Sequence, residues 1–437
     1  MKKHIAVVGA GYAGLTAAYH LSNFGYQVTV YESARILGGR ARRAVINQQV
    51  LDNGQHILSG AYHSLLKLYD AVDSNPPHLH KLTLDWWMWN RFRLTIKPNF
   101  GPLSPLVGIC RAKGITFPEK LKFLSFLMGL QFGKKPKSGL TVAAWVSTQP
   151  AKIIRYFWEP LCVAALNTPI FKADAQVFYH VLRDGLIKAP LKEALILPSV
   201  DLTALLPDRM ANTIAEQNGR ILTSRRVKAI YESAKKFVVD DAQGRSEFDG
   251  IVLAIAPYQM KYIDIQLENN QSLDEYRSYL NQLTYESITT VYLQYPSDCR
   301  LPIAMVGIHG CTENALGQWA FDRGQITNQA GLIAVVVSTG DTVDQLPDEV
   351  LQAKVQSEIT QYFFPKQHPL WIKTVREKRA TISCDVHKVQ STSNVVSLTN
   401  SFYVAGDYLH PLYPATLESA CQSGEQAAQL MHKYLLT

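Results

Sequence analysis

The chain has 437 residues, of which 47% are hydrophobic and 18% charged, and a formal net charge of +8. That balance excludes a disordered polypeptide, and the length accommodates two or three domains around a sizeable core. Six cysteines (Cys110, Cys162, Cys299, Cys311, Cys384 and Cys421) fall singly with no CxxC pair, which excludes a disulfide framework and a structural zinc or other metal site and points to a reducing compartment.

The charge admits two readings, a surface attracted to anionic lipid or acidic ligands and an ordinary basic surface. No basic block carries interleaved aromatics, so nucleic acid is not expected as a partner. Lys2 and Lys3 precede an apolar run, but glycines interrupt it and no AxA-like site follows, so export is not expected. No apolar stretch reaches the ~18 residues that span a bilayer. The expected location is cytoplasmic, either soluble or peripheral on the inner face of the membrane.

The first predicted elements are a strand over His4–Val8, a tight turn with Gly9, Gly11 and Gly14, a helix through Tyr12 and Ala13 to about Phe24, and a strand over Gln27–Tyr31. Gly9 permits the sharp exit from the strand, Gly11 admits a pyrophosphate close to the backbone, and Gly14 allows helix and strand to pack closely. Glu32, followed by Ser33, closes the second strand where a carboxylate meets a ribose 2′-hydroxyl. This predicts an adenine dinucleotide without a 2′-phosphate, its phosphates at the helix N-terminus.

Gly38, Gly39 and Arg40 follow, a flexible turn and a guanidinium suited to a second grip on the same cofactor. Residues 50–58 (VLDNGQHIL) place Asp52, Asn53, Gly54, Gln55 and His56 on a strand-like segment, where they can approach the cofactor. His56 is open to two readings, a proton donor or a structural hydrogen-bonding residue.

From residue 61 to 200 the pattern becomes helical and aromatic. Trp87 and Trp89 alternate as the wall of an apolar pocket would, and equally as an ordinary core would. Residues 121–132 form an apolar helix flanked by lysines, suited either to a membrane interface or to burial with solvated ends. Residues 155–169 predict a helix stopped by Asn-Thr-Pro, and Asp201 an N-cap for a helix to about residue 215.

Short strands then return near residues 220–223, 227–232, 237–240 and 250–255, with Val227 offering backbone groups to adenine and Ala254 ending the buried strand. Residues 259–394 mix helices near 274–282 and 348–362 with strands at 288–295 and 332–337, suited to the floor and lid of a substrate chamber. The run at 306–311 lacks the helix of a second dinucleotide fingerprint, so the electron donor is expected to be external and is unidentified. At the C-terminus a strand over Phe402–Ala405 meets Gly406 and Asp407, then a loop and a helix starting near Pro414, Ala415 and Thr416. A terminal strand, GD and helix paired with the N-terminal glycine motif imply FAD rather than NAD.

VVGAGYAGLTAA, LGGRA and the terminal AGD resemble the flavin amine oxidase and phytoene desaturase superfamily. Within it the chain resembles the squalene-associated, FAD-dependent hydroxysqualene dehydroxylase family through LDNGQH, FWEPLCVAALNTP, LP followed by DL, REKRAT and AGDYLHPLYPATLESACQSG. Tyr408 stands where that pattern commonly has tryptophan, and Ser419 where it commonly has glycine. The resemblance implies an α/β fold: a Rossmann-like FAD-binding domain of the GR2 type from residues 1–60, 200–258 and 395–437, and a mixed α+β substrate domain from 61–199 and 259–394. It implies reduction of an allylic isoprenoid alcohol, hydroxysqualene, to squalene in squalene and hopanoid biosynthesis. His56 and His410 are the candidates for the general acid, and Trp87, Trp89 and Trp158 the candidates for an aromatic wall facing a carbocation. The rival readings are a carotenoid (phytoene-type) desaturase or isomerase and, outside enzymes, a prenyl-lipid escort of the GDP-dissociation-inhibitor type.

Overall fold

A computed structural model describes residues 2–72, 78–188, 195–234, 236–311, 315–338, 341–386, 391, 393–413 and 415–437. Its organising element is a six-stranded sheet in the order Val395–Thr399, Phe402–Ala405, Gly250–Leu253, His4–Val8, Gln27–Tyr31, Arg220–Leu222. All neighbours are parallel except the outermost pair at Val395–Thr399. Strands buried on both faces read as continuous apolar runs, which is why IAVV and VTVY show no polar alternation.

The two faces are nevertheless distinct. Ile5, Val7, Val28, Val30 and Val252 pack into one core with the helices Tyr12–Asn23, Pro207–Glu216 and Leu417–Leu435. Ala6, Val8, Ile251 and Leu253 face the opposite way, into a core shared with a four-stranded sheet that includes Val227–Ser233 and Lys236–Asp241. This is the period-2 geometry of a strand sorting its side chains between two layers.

The second architectural unit is a seven-stranded sheet in the order Trp371–Ile382, Tyr285–Gln294, Leu332–Ser338, Trp319–Asp322, Met305–Gly307, Leu84–Met88, Phe92–Ile96. One face carries the helix Asp348–Tyr362 through Leu351, Val355 and Ile359. The other packs on a helical layer through Phe157, Trp158 and Phe178.

Two predicted helices are interrupted. The helix after Asp201 divides into Leu202–Leu205 and Pro207–Glu216, because Pro207 has no N–H to continue the ladder. The stretch at 155–169 holds a π-helical turn, Ile154–Trp158, before the α-helix Glu159–Leu166, and ends at Asn167 with φ +46°. Among the described residues, no helix is long and apolar enough to cross a membrane.

Gly14 decides whether the first helix can seat on the sheet. A Cβ there would lie 1.9 Å from the Gly9 carbonyl oxygen, closer than any relaxation of a flexible side chain could relieve. Gly14→Ala is therefore expected to destabilise the protein by about 3 kcal/mol or to abolish soluble expression, read by chemical denaturation and soluble yield.

Candidate functional site

The carboxyl ends of the parallel strands open into a cavity of about 570 Å³ bounded by both sheets. Its nucleotide-like wall is Gly9, Gly11, Tyr12, Ala13, Glu32, Ser33, Gly38, Gly39, Arg40, Asn53, Val227, Ala254, Gly406, Asp407, Ala415 and Thr416. Of the residues expected to hold a cofactor, Gly14 lies behind this wall and Pro414 lies outside the described residues.

The backbone is shaped for a close ligand. Gly9 (φ +105°), Gly38 (φ +108°) and Gly39 (φ +64°) adopt conformations that favour glycine. Gly11 is the N-cap of the helix Tyr12–Asn23 and offers no capping side chain, and the first turn carries no acid. The leading amides of that helix are thus left without the usual side-chain acceptor, as an anion site requires. Glu32 is buried, one carboxylate oxygen accepting from Ala10 N at 2.8 Å and the other from Ala34 N at 2.7 Å. Oε1 also accepts from Ser33 Oγ at 3.4 Å, and Oε2 keeps a lone pair for a further donor. These residues fit an adenine dinucleotide.

Arg40 departs from the expected free phosphate clamp. Its guanidinium pairs with Asp407 and donates to Ala380 O at 2.8 Å, so it ties the N-terminal glycine turn to the C-terminal GD turn. Asn53 is a second tie, accepting from Arg42 N at 3.0 Å and donating to Arg40 O at 2.8 Å. Thr416 caps the terminal helix, accepting from Ser419 N at 3.0 Å while Ser419 Oγ accepts from Thr416 N. Ser419, unusual against the family pattern, thereby completes a capping box. Tyr408 is buried with its hydroxyl 2.6 Å from that of Tyr276.

The rest of the cavity wall comes from Gly54, Gln55, His56, Ile57, Tyr62, residues 163–167, Ile288, Trp319 and Phe321. His56 Nδ1 donates to Gly54 O at 2.8 Å, so the neutral ring presents an unprotonated Nε2, for which the described residues supply no hydrogen-bond partner. Burial pushes the imidazole below its ordinary value, opposed by the bond to Gly54. His410 is different. Its Nδ1 accepts from Leu412 N at 3.2 Å and Tyr413 N at 3.1 Å, and its Nε2 donates to Gln422 Oε1 at 3.0 Å. With both nitrogens occupied and no exposure to the cavity, His410 is a structural residue of the loop and not a candidate acid.

The tryptophan expectation also needs correction: Trp87, Trp89 and Trp158 do not line the cavity. Trp87 and Trp89 contact one another at 5.1 Å and pack beside the helix Asp348–Tyr362. Trp158 is fully buried, edge-on to Phe157 and Phe123. The aromatic wall is instead Trp319 and Phe321, two apart on one strand and so on one face. Their alternation in QWAFD was a readable signal. From the FWEPLCVAALNTP motif it is the end of the helix Glu159–Leu166, residues 163–167, that reaches the cavity, with Asn167 Nδ2 donating to Thr381 Oγ1 at 3.0 Å.

Arg323 was not signalled by the sequence at all. It is buried behind the DNGQH loop, with Nη1 donating to Gln55 Oε1 at 3.1 Å and lying 3.9 Å from Asp52 Oδ2, while Nε donates to Gln329 Oε1 at 3.1 Å. Asp52 also accepts from Leu202 N at 2.7 Å, yet burial dominates and raises its carboxyl to about 7. One buried cation therefore holds the loop that carries His56.

Two substitutions separate cradle from scaffold. A Cβ on Gly11 would meet only Gly39 Cα at 3.8 Å, an ordinary contact. Gly11→Ala is thus expected to fold normally while losing flavin affinity by about tenfold or more, read as bound-flavin absorbance against melting temperature. Arg323→Met strips a buried carboxyl of its cation and is expected to cost about 3 kcal/mol in urea denaturation, with Arg323→Lys intermediate. The raised Asp52 carboxyl stabilises the fold fully below its unfolded value of 3.8 and loses that contribution as pH rises through about 7. Wild-type stability should accordingly fall over that window.

The model of flavin-containing amine oxidoreductases matches residues 12–432. The chain is 25% identical to a hydroxysqualene dehydroxylase of Zymomonas mobilis, covering 97% of this chain and 98% of the relative. It is 24% identical to one of Rhodopseudomonas palustris, covering 99% of each. The solved structure of cyclohexylamine oxidase from Brevibacterium oxydans superposes with a TM-score of 0.72 at 14% identity, over 100% of both chains. A glycine cradle, a buried carboxylate and a capped terminal helix around one cavity thus sit in a chain that belongs to the flavin-containing amine oxidoreductase family, an FAD-dependent oxidoreductase.

Proposed function

We propose that this enzyme reduces hydroxysqualene to squalene, replacing an allylic hydroxyl by hydrogen. The observation that carries the reading is one cavity with two kinds of wall: the glycine cradle, and an apolar surface of Ile57, Val163, Ala164, Leu166, Ile288, Trp319 and Phe321 suited to an isoprenoid chain. The similarity to two hydroxysqualene dehydroxylases over nearly the whole chain supports the substrate. Residues 1–60, 200–258 and 395–437 form the cofactor-binding part and the remainder the substrate-binding part.

FAD, when bound and reduced, supplies the hydride. Gly9, Gly11, Tyr12 and Ala13 receive its pyrophosphate, Glu32 and Ser33 its ribose, and Val227 its adenine. Gly38, Gly39, Asn53, Gly54 and Gln55 hold it from one side, and Ala254, Gly406, Asp407, Ala415 and Thr416 from the other. Arg40 fixes the relative position of the two glycine turns and does not meet the phosphates as a free fork.

The leaving hydroxyl needs a proton. His56 is the donor in this reading: its Nδ1 is spent on Gly54 O, so only the imidazolium carries a proton on Nε2, and burial makes that imidazolium a stronger acid. The apolar wall excludes the water that would trap a cationic carbon, and Trp319 and Phe321 add ring carbon on the same side. Tyr62 is the competing donor. Its phenol lines the cavity and burial holds it well above its ordinary value, so it stays protonated throughout the working range.

The isoprenoid is drawn from the inner face of the membrane, and the electron donor is external.

Anaerobic incubation of reduced enzyme with hydroxysqualene, and separately with phytoene, followed by mass spectrometry tests the reaction. Squalene from the first and no desaturated product from the second is expected; absence of squalene overturns the reading. If His56 is the acid, kcat falls as pH rises through its lowered pKa, and His56→Gln costs about 100-fold and flattens the profile. A profile unchanged up to pH ~10, with the loss appearing in Tyr62→Phe, would transfer the role to Tyr62.

A further inference from the structure

Charge and exposed apolar surface coincide in one part of the molecule. Residues 97–140 contain eight lysines and arginines and a single acid, Glu119, so this segment carries +7 of the chain's net +8. Of the eighteen large hydrophobic side chains exposed among the described residues, seven lie between 100 and 132: Phe100, Leu103, Leu106, Phe117, Leu121, Met128 and Phe132. A surface that is merely basic would not gather them; an ordinary core helix would not expose them.

The local structure explains why they stay exposed. The helix Phe117–Gln131 is fixed at its start by a capping box between Thr116 and Glu119, with Thr116 N donating to Glu119 Oε2 at 2.6 Å. At 100° per residue Phe117, Leu121 and Met128 lie within an arc of about 40°, and Phe123 and Leu130 lie on the opposite side. That opposite side is buried in the helical layer, where Phe126, at its edge, meets Trp158 at 4.9 Å. The helix therefore spends one apolar face on the core and presents a second to solvent. Lys120 Nζ donates to Cys110 O at 2.7 Å, which ties this helix to Ser104–Arg111. Arg111 lies 5.6 Å above the Phe100 ring, a basic group set on an exposed aromatic one. Phe132 is 80% exposed and is followed closely by the exposed Lys134, Lys135 and Lys137.

We propose that residues 97–140 form a docking surface for an anionic lipid bilayer. Phe117, Leu121, Met128 and Phe132 enter the headgroup–acyl boundary, and Lys113, Lys122, Lys134, Lys135 and Lys137 meet lipid phosphates. Neither component suffices alone. Shallow insertion of a few apolar side chains gives marginal binding, and lysines near an anionic surface add attraction that salt screens. The segment is too short and too charged to span the bilayer, so it docks on the surface and leaves the two sheets in water. The inference takes its purpose, though not its evidence, from the proposed isoprenoid substrate.

Flotation of the full-length holoenzyme with lipid vesicles tests it. Vesicles with a quarter of their lipid as phosphatidylglycerol are expected to carry the protein, and pure phosphatidylcholine vesicles about tenfold less. Binding should fall as salt is added. The triple substitutions Phe117→Ser/Leu121→Ser/Phe132→Ser and Lys134→Glu/Lys135→Glu/Lys137→Glu should each reduce flotation about tenfold while bound-flavin absorbance is unchanged, since all six side chains are exposed. Flotation that ignores lipid charge, or persists undiminished in both variants, overturns the proposal. So does a concentration-dependent dimer that the serine variant disperses, which would make a second copy of this chain the occupant. Flotation is read without substrate. Turnover of hydroxysqualene in detergent micelles tests the reaction separately, so failure of one is distinguishable from failure of the other.

Discussion

The close approach of three backbone segments at the first glycine turn is the constraint on which the structure depends. Gly14 lets the first helix lie against the Gly9 carbonyl, and Gly424 lets the terminal helix come within reach of Ala13 O, where a Cβ would sit at 2.2 Å. Strand, first helix and last helix therefore meet with no side chains between them. That contact brings the N-terminus and the C-terminus of the chain to the same end of the sheet. The uncapped amides after Gly11 and the capped start of the terminal helix both line one cavity.

Buried polar pairs then set the shape of that cavity. Arg40 with Asp407 joins the two glycine turns, Asn53 fastens to the 40–42 loop, and Arg323 grips Asp52 and Gln55 from the second sheet. Each is a group that would be costly to bury alone, and each finds its partner on a distant segment. Such pairs specify one arrangement of the loops more than they add stability. The loop 52–56 belongs to neither sheet. Its position, and hence that of His56, is decided by Arg323, Thr290 and Leu202 acting from different elements.

The two faces of the molecule divide the work along the same lines. The parallel sheet, covered on both sides, backs the glycine-lined wall of the cavity. The seven-stranded sheet offers an apolar wall, and the exposed face of Phe117–Gln131 belongs to its helical layer. Family membership rests on both parts, since the family model matches residues 12–432. Chemical individuality rests on the second, where Trp319 and Phe321 replace the aromatic residues expected from the sequence pattern.

Much of the fold was legible in the sequence for a local reason. A glycine turn between an apolar strand and a helix, followed by a strand ending in Glu32, depends on interactions a few residues apart. The same holds for the terminal strand, GD turn and helix, and for Asp201 as an N-cap. The tryptophans at 86–89 misdirected the reading despite the alternation in QWAFD, because Trp86, Trp87 and Trp89 lie close along the chain but face different layers, and only pairing with Met305–Gly307 and Phe92–Ile96 decides which. His410 read as a catalytic candidate because its motif adjoins the flavin signature; the tertiary structure occupies Nδ1 with amides of its own loop and Nε2 with Gln422 of the terminal helix. Arg323 left no trace in the pattern, since a buried cation acquires its role only from the carboxylate and amide the fold brings to it from some 270 residues away. By itself the sequence determined the cofactor and the strands of the parallel sheet, because those depend on backbone shape written in glycines. Which side chains face the substrate, and which residue holds them there, was decided only by tertiary structure, because it depends on pairs that no local spacing can place together.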